Sequence, residues 1–491
     1  MSLAQKAARG ALWTVIASMG GRAIGVIGTL VMTRFLHPED IGEVAAATVL
    51  AMTANWITIW GFGQYAVVKG RGDDALEVTW HATVFYVVLG AISLGLMAMF
   101  GGRLTPYLDA PNAAIYVPGM ALAMFIRRIG AVPERVLTRQ MNFRASGLVL
   151  ALGELAYTAV ALPLAAAGVG GMSIVIANIV QSCVIVAILV RAAGIASWAT
   201  PMKLRGARIK DMLRFGVPLG IQNIASQAAR YWDRLAITYY FGTAATGAYG
   251  LAYSLADVPA IQVGEQIALV LLPSMAEMPP DRRPRALERS TALLSLIIFP
   301  LAVGLGLIAD PLIALLLPKN EWQSVAPLLA VLACLSVFRP ITWVLSAYLE
   351  SEAKTGRLMF LEIAKLVILL GGIGVLAPYG IVTAAGAVGG AFGITAIVGV
   401  LLVMQAGPSP RRLLVGFLQP LAACLVMAGA VWLVYEGLTR VGLDHPAILL
   451  VGMLVGGAIA YVGAALVLAR EASKDLLQLV KRALKRGNEA S

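Results

Sequence analysis

The chain has 491 residues, 59% of them hydrophobic and 13% charged, with a formal net charge of +12. Soluble domains carry about 25% charged residues, so the composition excludes an ordinary globular enzyme and points to a polytopic membrane protein. Three cysteines lie inside apolar runs and three histidines are scattered, with no HExxH, CxxC or phosphate-loop spacing, so no catalytic residue, metal site or cofactor is expected.

The first apolar run extends from Gly10 to Leu36, after Lys6 and Arg9. It is too long for a secretory signal, holds Arg22 near its middle and lacks a small-residue cleavage site, so it reads as a retained helix. A charge at that depth costs at least about 2.5–3.5 kcal/mol, so Arg22 must face protein, water or a ligand. Fourteen spans are predicted in all, near 11–36, 41–66, 79–101, 112–132, 146–168, 171–191, 212–240, 246–274, 290–317, 325–349, 358–377, 381–405, 412–436 and 446–469. Small-residue spacings such as Gly21/Gly25, Gly386/Gly390 and Gly452/Gly456 predict close helix packing. The link 192–210, with Trp198 and Pro201, is the longest basic connection and the expected seam between two halves. The expected domains are a six-helix bundle over 1–200, a second over 201–408, two further helices over 409–470, and a basic amphipathic cytoplasmic tail over 471–491. Leu476, Leu477, Val480 and Leu484 fall near one face of that tail, suited to an anionic leaflet.

Of the 38 Lys and Arg residues, 29 fall on alternate connections beginning with the N-terminus. Only Arg103, Lys319 and Arg440 fall on the opposite side, and six (Arg22, Arg34, Arg230, Arg234, Arg339 and Lys365) lie within spans. Basic connections stay cytoplasmic, so both termini are placed inside. The positive balance therefore reports orientation, not a nucleic-acid partner. The same reading puts Arg127 and Arg128 at the inner surface.

A shift of 205 positions aligns the first two spans with the seventh and eighth. Arg9 meets Arg214, Ile16 meets Ile221, Ala23 meets Ala228, Thr33 meets Thr238, Gly42 meets Gly247, Ala47 meets Ala252, Leu50 meets Leu255 and Ala51 meets Ala256. Six spans separate the copies, which gives them one orientation and predicts a repeat about an axis along the membrane normal, as in alternating-access transporters. The turn Arg34-Phe35-Leu36-His37-Pro38-Glu39-Asp40-Ile41-Gly42 resembles the corresponding turn of bacterial polysaccharide flippases, with His37 in place of the usual Gly. Asp233-Arg234-Leu235, then Gly242, Gly247-Ala248-Tyr249, Ala252 and Leu272-Pro273-Ser274, are similar to their seventh-to-eighth helix segment. The family is the Wzx-like lipid-linked oligosaccharide flippases of the multidrug/oligosaccharidyl-lipid/polysaccharide exporter superfamily. The resemblance implies an all-α membrane protein of about 14 helices, with two six-helix bundles related by a pseudo-two-fold axis plus two C-terminal helices. It also implies a bacterial cytoplasmic membrane location, an undecaprenyl-diphosphate oligosaccharide as substrate, contacts with membrane lipids, and a polysaccharide polymerase and chain-length regulator as partners.

At 100° per residue Thr14, Ser18, Arg22, Gly25, Thr29 and Thr33 share one face of the first span. Asn223, Gln227, Arg230 and Arg234 form a stripe on the seventh, with Ser226 and Asp233 beside it. Guanidinium forks suit a diphosphate. Ser18, Arg22, Thr29, Asn223, Gln227, Arg230 and Arg234 are therefore the substrate-binding candidates, with a structural ion pair open as the other role for Arg22. Trp56, Trp60, Tyr231, Trp232, Tyr249 and Tyr253 suit either sugar stacking or packing. Glu154, Asp233, Asp257 and Glu265 are candidates for ion coupling. Glu362 and Lys365, three positions apart, pair with each other, and Arg339 needs a buried partner that spacing does not name. An ion-coupled multidrug or small-molecule antiporter of the same superfamily is the alternative function. Such a cavity would favour carboxylates, and the first span has none between Arg9 and Glu39. A polymerase or ligase needs a large outer loop, and the longest outer loops here have about ten residues.

Overall fold

A computed structural model describes residues 20–21, 23–69, 74–140, 143–259, 275, 278–279, 281–318, 321–352, 354–404 and 407–478. The described residues form helices, turns and bends without a strand. The helices are α1 (Ala23–Met32), α2 (Pro38–Ile57), α3 (Phe62–Lys69), α4 (Ala75–Phe100), α5 (Val117–Ile129), α6 (Ala131–Arg139), α7 (Phe143–Ala166), α8 (Met172–Ala193) and α9 (Gly206–Pro259). They continue with α10 (Arg283–Leu307), α11 (Ala309–Leu316), α12 (Val325–Leu335), α13 (Arg339–Ser351), α14 (Thr355–Leu376), α15 (Ile381–Met404), α16 (Pro410–Arg440) and α17 (Pro446–Leu468). Nine membrane-crossing segments are long and apolar enough among the described residues, and they coincide with the expected spans 3, 5, 6 and 9 to 14. The described parts of the other expected spans fall on α1, on α2 with α3, on α5 with α6, and on α9, while 11–19 of the first and 260–274 of the eighth lie outside the described residues. This is an all-α polytopic membrane protein.

The chain divides into two compact units, Met1–Gly247 and Ala248–Ser491. In the first, α1 lies against α7 through its glycines. A Cβ on Gly21 would stand 3.3 Å from the Ala151 backbone, one on Gly25 2.7 Å from Glu154 Oε2, and one on Gly28 2.8 Å from Thr158 Oγ1. Lipid tails are as apolar as leucine, so close van der Waals approach of this kind is what holds two spans together. The small face expected to line a cavity is thus, at Gly25, a packing face. α2 starts at His37, whose backbone N–H donates to Asp40 Oδ2 at 3.1 Å, with Pro38 next. Glu39 and Asp40 place negative charge at the positive end of its dipole.

The repeat is visible as a reciprocal contact inside this unit. A methyl on Gly42 would overlap the Thr243 carbonyl, and a methyl on Gly247 would overlap the Pro38 carbonyl. Thr243 and Gly247 each follow Pro38 and Gly42 by 205 positions, so the two turns touch as a two-fold pair does. Gly242, at φ 80° and ψ −179°, ends the helical path at residue 241 and lets it restart at 243. That left-handed φ suits glycine and strains other residues. Further along, Trp232 Nε1 donates to Thr53 Oγ1 at 3.0 Å, and Gly220 lies beside Trp60. The 206–247 stretch therefore leans on α2 and belongs with the first unit. The connection after α8 is docked, not loose. Thr83 Oγ1 donates to the Trp198 carbonyl at 3.0 Å, the Arg205 N–H donates to His81 Nε2 at 2.9 Å, and Arg208 pairs with Asp74 at 2.7 Å. That bond, donated to the Asp74 carboxylate, raises the Arg208 guanidinium above its ordinary value.

In the second unit α10, α13, α14 and α15 enclose a core of Leu294, Ile298, Val344, Tyr348, Leu361 and Val403. α16 and α17 pack on each other and on α10 through Phe299, Met427, Val431, Met453 and Tyr461, whose hydroxyl donates to the Leu296 carbonyl at 2.6 Å. Gly389 and Gly399 of α15 leave room for the Leu335 and Leu345 side chains. The tenth span is broken at 336–338 before Pro340, as the fourth is at Gly130 before Pro133. Proline lacks the N–H that an unbroken ladder needs. Of the expected tail, residues 471–478 are described and helical. Ala472 and Leu476 join the α16–α17 core, and Asp475 pairs with Arg289 at 2.7 Å.

Candidate intramembrane polar centres

Ser18, Arg22 and Glu265 lie outside the described residues. Thr29 is half-buried, and its hydroxyl donates to the Gly25 carbonyl one turn back at 2.9 Å. Thr33 does the same to Leu30 at 2.7 Å. Both hydroxyl oxygens keep lone pairs but have already used their proton. On α9, Asn223, Gln227 and Arg234 are half-buried and Arg230 is exposed. Asp233 is buried, and its Oδ1 accepts the Arg234 backbone N–H at 2.8 Å. The Arg234 guanidinium stands 5.7 Å from the Tyr231 ring centre, which in turn is 5.3 Å from that of Trp56. With Trp232 bonded to Thr53, three of the aromatic side chains singled out for sugar stacking are engaged with protein. Tyr249 and Tyr253 are buried too, their ring centres 5.8 Å apart.

Two arginines assigned to the inner surface are instead inside the first unit. Arg127 Nη2 donates to Gln181 Oε1 at 3.0 Å, and Gln181 Nε2 donates to Glu154 Oε1 at 3.1 Å. The result is a polar chain across α5, α8 and α7 that ends on the ion-coupling candidate Glu154. Arg128 is 4% exposed. Its Nε donates to the Tyr86 carbonyl at 3.0 Å, Nη1 to Asn55 and Nη2 to the Thr58 carbonyl at 2.8 Å. It also lies 5.2 Å from the Tyr86 ring centre. The carbonyls at the end of α2 lack helical partners and carry the negative end of its dipole, so a guanidinium satisfies both needs.

In the second unit Arg339, beside the break in the tenth span, forms an ion pair with Asp257 and donates from Nη2 to the Tyr253 hydroxyl at 3.2 Å. Arg339 is 7% and Asp257 8% exposed, so each charge is compensated where desolvation is most costly. Arg339 also faces the Phe392 ring at 5.1 Å, and the Lys365 ammonium faces the same ring at 5.2 Å. Lys365 pairs with Glu362 Oε2 at 2.7 Å, as their spacing predicts. At the start of α10, Arg283 Nη1 donates to Glu352 Oε1 at 2.7 Å and holds that carboxyl below the usual carboxylate range, with Lys354 adding to the effect. Among the described residues no group of three or more His, Cys, Asp or Glu could hold a metal ion.

The arrangement is one of compensated and hydrogen-bonded charges within largely apolar helices. The chain is 28% identical to the succinoglycan biosynthesis transport protein ExoT of Rhizobium meliloti (strain 1021) over 329 residues, which is 65% of this chain and 64% of ExoT. It is 22% identical to the lipopolysaccharide biosynthesis protein WzxC of Escherichia coli (strain K12) over 358 residues, 72% of each chain. Its fold matches the lipid II flippase MurJ in an inward closed conformation, with a TM-score of 0.79 at 12% identity, over 94% of this chain and 99% of that one. Residues 31–327, more than half of the chain, match the family described as polysaccharide biosynthesis protein, and the chain belongs to that family.

Proposed function

We propose that the protein is a flippase that moves undecaprenyl-diphosphate-linked oligosaccharide repeat units from the cytoplasmic to the periplasmic leaflet, by alternating access, for exopolysaccharide, O-antigen or capsule synthesis. The observation that carries the reading is the family match over residues 31–327. The names of the relatives, a succinoglycan transport protein and a lipid II flippase among them, agree with it. In this reading the six-helix repeats are 1–200 and 201–408, helices 409–470 are additional, and the tail from 471 and the N-terminus lie on the cytoplasmic side of a bacterial inner membrane. The protein carries out no covalent step. A polymerase and a chain-length regulator act next on its product. Deletion followed by lipid analysis tests the reading. An undecaprenyl-diphosphate oligosaccharide accumulating on the cytoplasmic face is the expected result. An unchanged pool of lipid intermediates overturns it and favours a small-molecule antiporter.

The diphosphate is assigned to Arg22, helped by Ser18, Thr29, Asn223, Gln227, Arg230 and Arg234, because a planar guanidinium gives two parallel bonds to phosphate oxygens. Coupling to an ion gradient is assigned among Glu154, Asp233, Asp257 and Glu265. Arg22→Ala is expected to abolish polymer export at normal protein level, and Arg22→Lys to restore part of it, since an ammonium keeps the charge and loses the fork. Full export by Arg22→Ala would remove the residue from the binding site.

A further inference from the structure

The connection from α8 to α9 is fixed from within, yet it leaves both apolar and charged side chains outside. Trp198 is buried in a core cluster of the first unit, and its carbonyl accepts from Thr83. The Arg205 N–H donates to His81, which is fully buried. The Arg205 and Arg208 side chains pair with Glu77 and Asp74 at the start of α4. With the backbone docked in this way, the side chains left outside cannot fold inward. Among them Ile195 is 65%, Leu204 44% and Met202 40% exposed, and Leu213 near the start of α9 is exposed as well.

Cations are interleaved with these apolar groups. Before α9 begins, Met202 and Leu204 alternate with Lys203 and Arg205. On α9, Lys210, Leu213 and Arg214 stand at i, i+3 and i+4 and so share one face. Lys203, Lys210 and Arg214 are exposed and have no carboxylate partner among the described residues. Asp211 is the one acidic residue between 195 and 214. Water solvates such cations but not the leucines, and a hydrocarbon core does the reverse. A lipid head-group layer takes both, since phosphates meet the cations while the apolar side chains reach the upper acyl chains. Charge then selects the lipid. A zwitterionic head group brings its own cation, whereas an anionic one neutralises those of the protein.

We propose that residues 195–214 form a docking surface for anionic phospholipid, with Lys203, Lys210 and Arg214 on the lipid phosphates and Ile195, Met202 and Leu204 among the acyl chains. The proposal goes beyond the transport reading and does not depend on what the protein moves. Bound lipid also has a structural consequence. Lys203, Arg205, Arg208, Lys210 and Arg214 crowd like charge at the start of α9. Phosphates placed there relieve that repulsion and so steady the Arg205–His81 and Arg208–Asp74 contacts that pin α9 to α4.

Native mass spectrometry of the purified full chain with added phosphatidylglycerol or phosphatidylcholine tests the surface. The wild type is expected to hold phosphatidylglycerol more tightly by roughly tenfold or more, the scale that two or three cations near a membrane surface give. Lys203→Gln/Lys210→Gln/Arg214→Gln is expected to lose most of that preference. Met202→Ser/Leu204→Ser keeps the charge and is expected to weaken retention of both lipids. A nitroxide in place of Met202, with Cys183, Cys334 and Cys424 replaced by alanine, reads the place directly in a chain that keeps its cations. In nanodiscs containing phosphatidylglycerol it is expected to be reached better by oxygen than by a water-soluble nickel chelate. Equal retention of the two lipids by the wild type, an unchanged preference in the triple variant, or a label open to the nickel chelate overturns the proposal. Displacement of phosphatidylglycerol by glycerol phosphate overturns it too, because the surface would then be a site for soluble anions.

Discussion

Gly42→Ala is expected to lower the thermal stability of the purified protein sharply and to cut polymer export. The added methyl meets the Thr243 carbonyl, a backbone atom, and cannot be relieved by turning a side chain. Overpacking of this kind costs about 1–3 kcal/mol. Gly247→Ala drives a methyl against the Pro38 carbonyl, so it strains the same pair of turns from the other side. The two effects are therefore expected to be less than additive, because one substitution already parts the turns that the second would push against. Melting temperatures of both single variants and of the double in detergent check this. Neutral single variants would show that the turns do not touch, and simple additivity that the two contacts are independent.

The reason Gly42 and Gly247 were legible beforehand is local. Each lies near the start of the helical stretch that follows a short connection, and a repeat shift of 205 aligns them without structural information. Hydropathy and charge alternation are equally local, and they locate most spans. Contacts between distant parts of the chain leave no such mark. Asp257 and Arg339 are 82 positions apart, and neither spacing nor composition joins them. Arg127 and Arg128 read as inner-surface charges because a basic pair at the end of an apolar run normally marks a membrane boundary. The span is broken at Gly130 instead, so their side chains turn to Gln181 and to the end of α2. The small face of the first helix was ambiguous for a related reason. Gly and Thr make a polar cavity wall or a close packing face equally well. Only the arrival of α7 at Gly21, Gly25 and Gly28 shows which use is made of the glycines.

Breaking the Arg339–Asp257 pair is expected to have the largest effect of any single change in the second unit. Asp257→Asn leaves a guanidinium that is 7% exposed with the Tyr253 hydroxyl and two ring faces but no carboxylate. Arg339→Met leaves the buried carboxylate. Loss of one member of a buried pair costs about 3–5 kcal/mol, whereas replacing both with apolar residues of similar size is often neutral. Each single variant should therefore yield little folded protein, and Arg339→Met/Asp257→Leu should regain much of the wild-type melting temperature. Size-exclusion profiles and thermal scans of the three variants read this directly. Full stability of Asp257→Asn would mean that the pair does not carry the packing of α9 against α13. Export by the double variant separates structure from coupling. A stable double variant that exports polymer makes Asp257 a counter-ion only and leaves coupling to Glu154, Asp233 and Glu265. A stable double variant that does not export places Asp257 in the transport cycle itself.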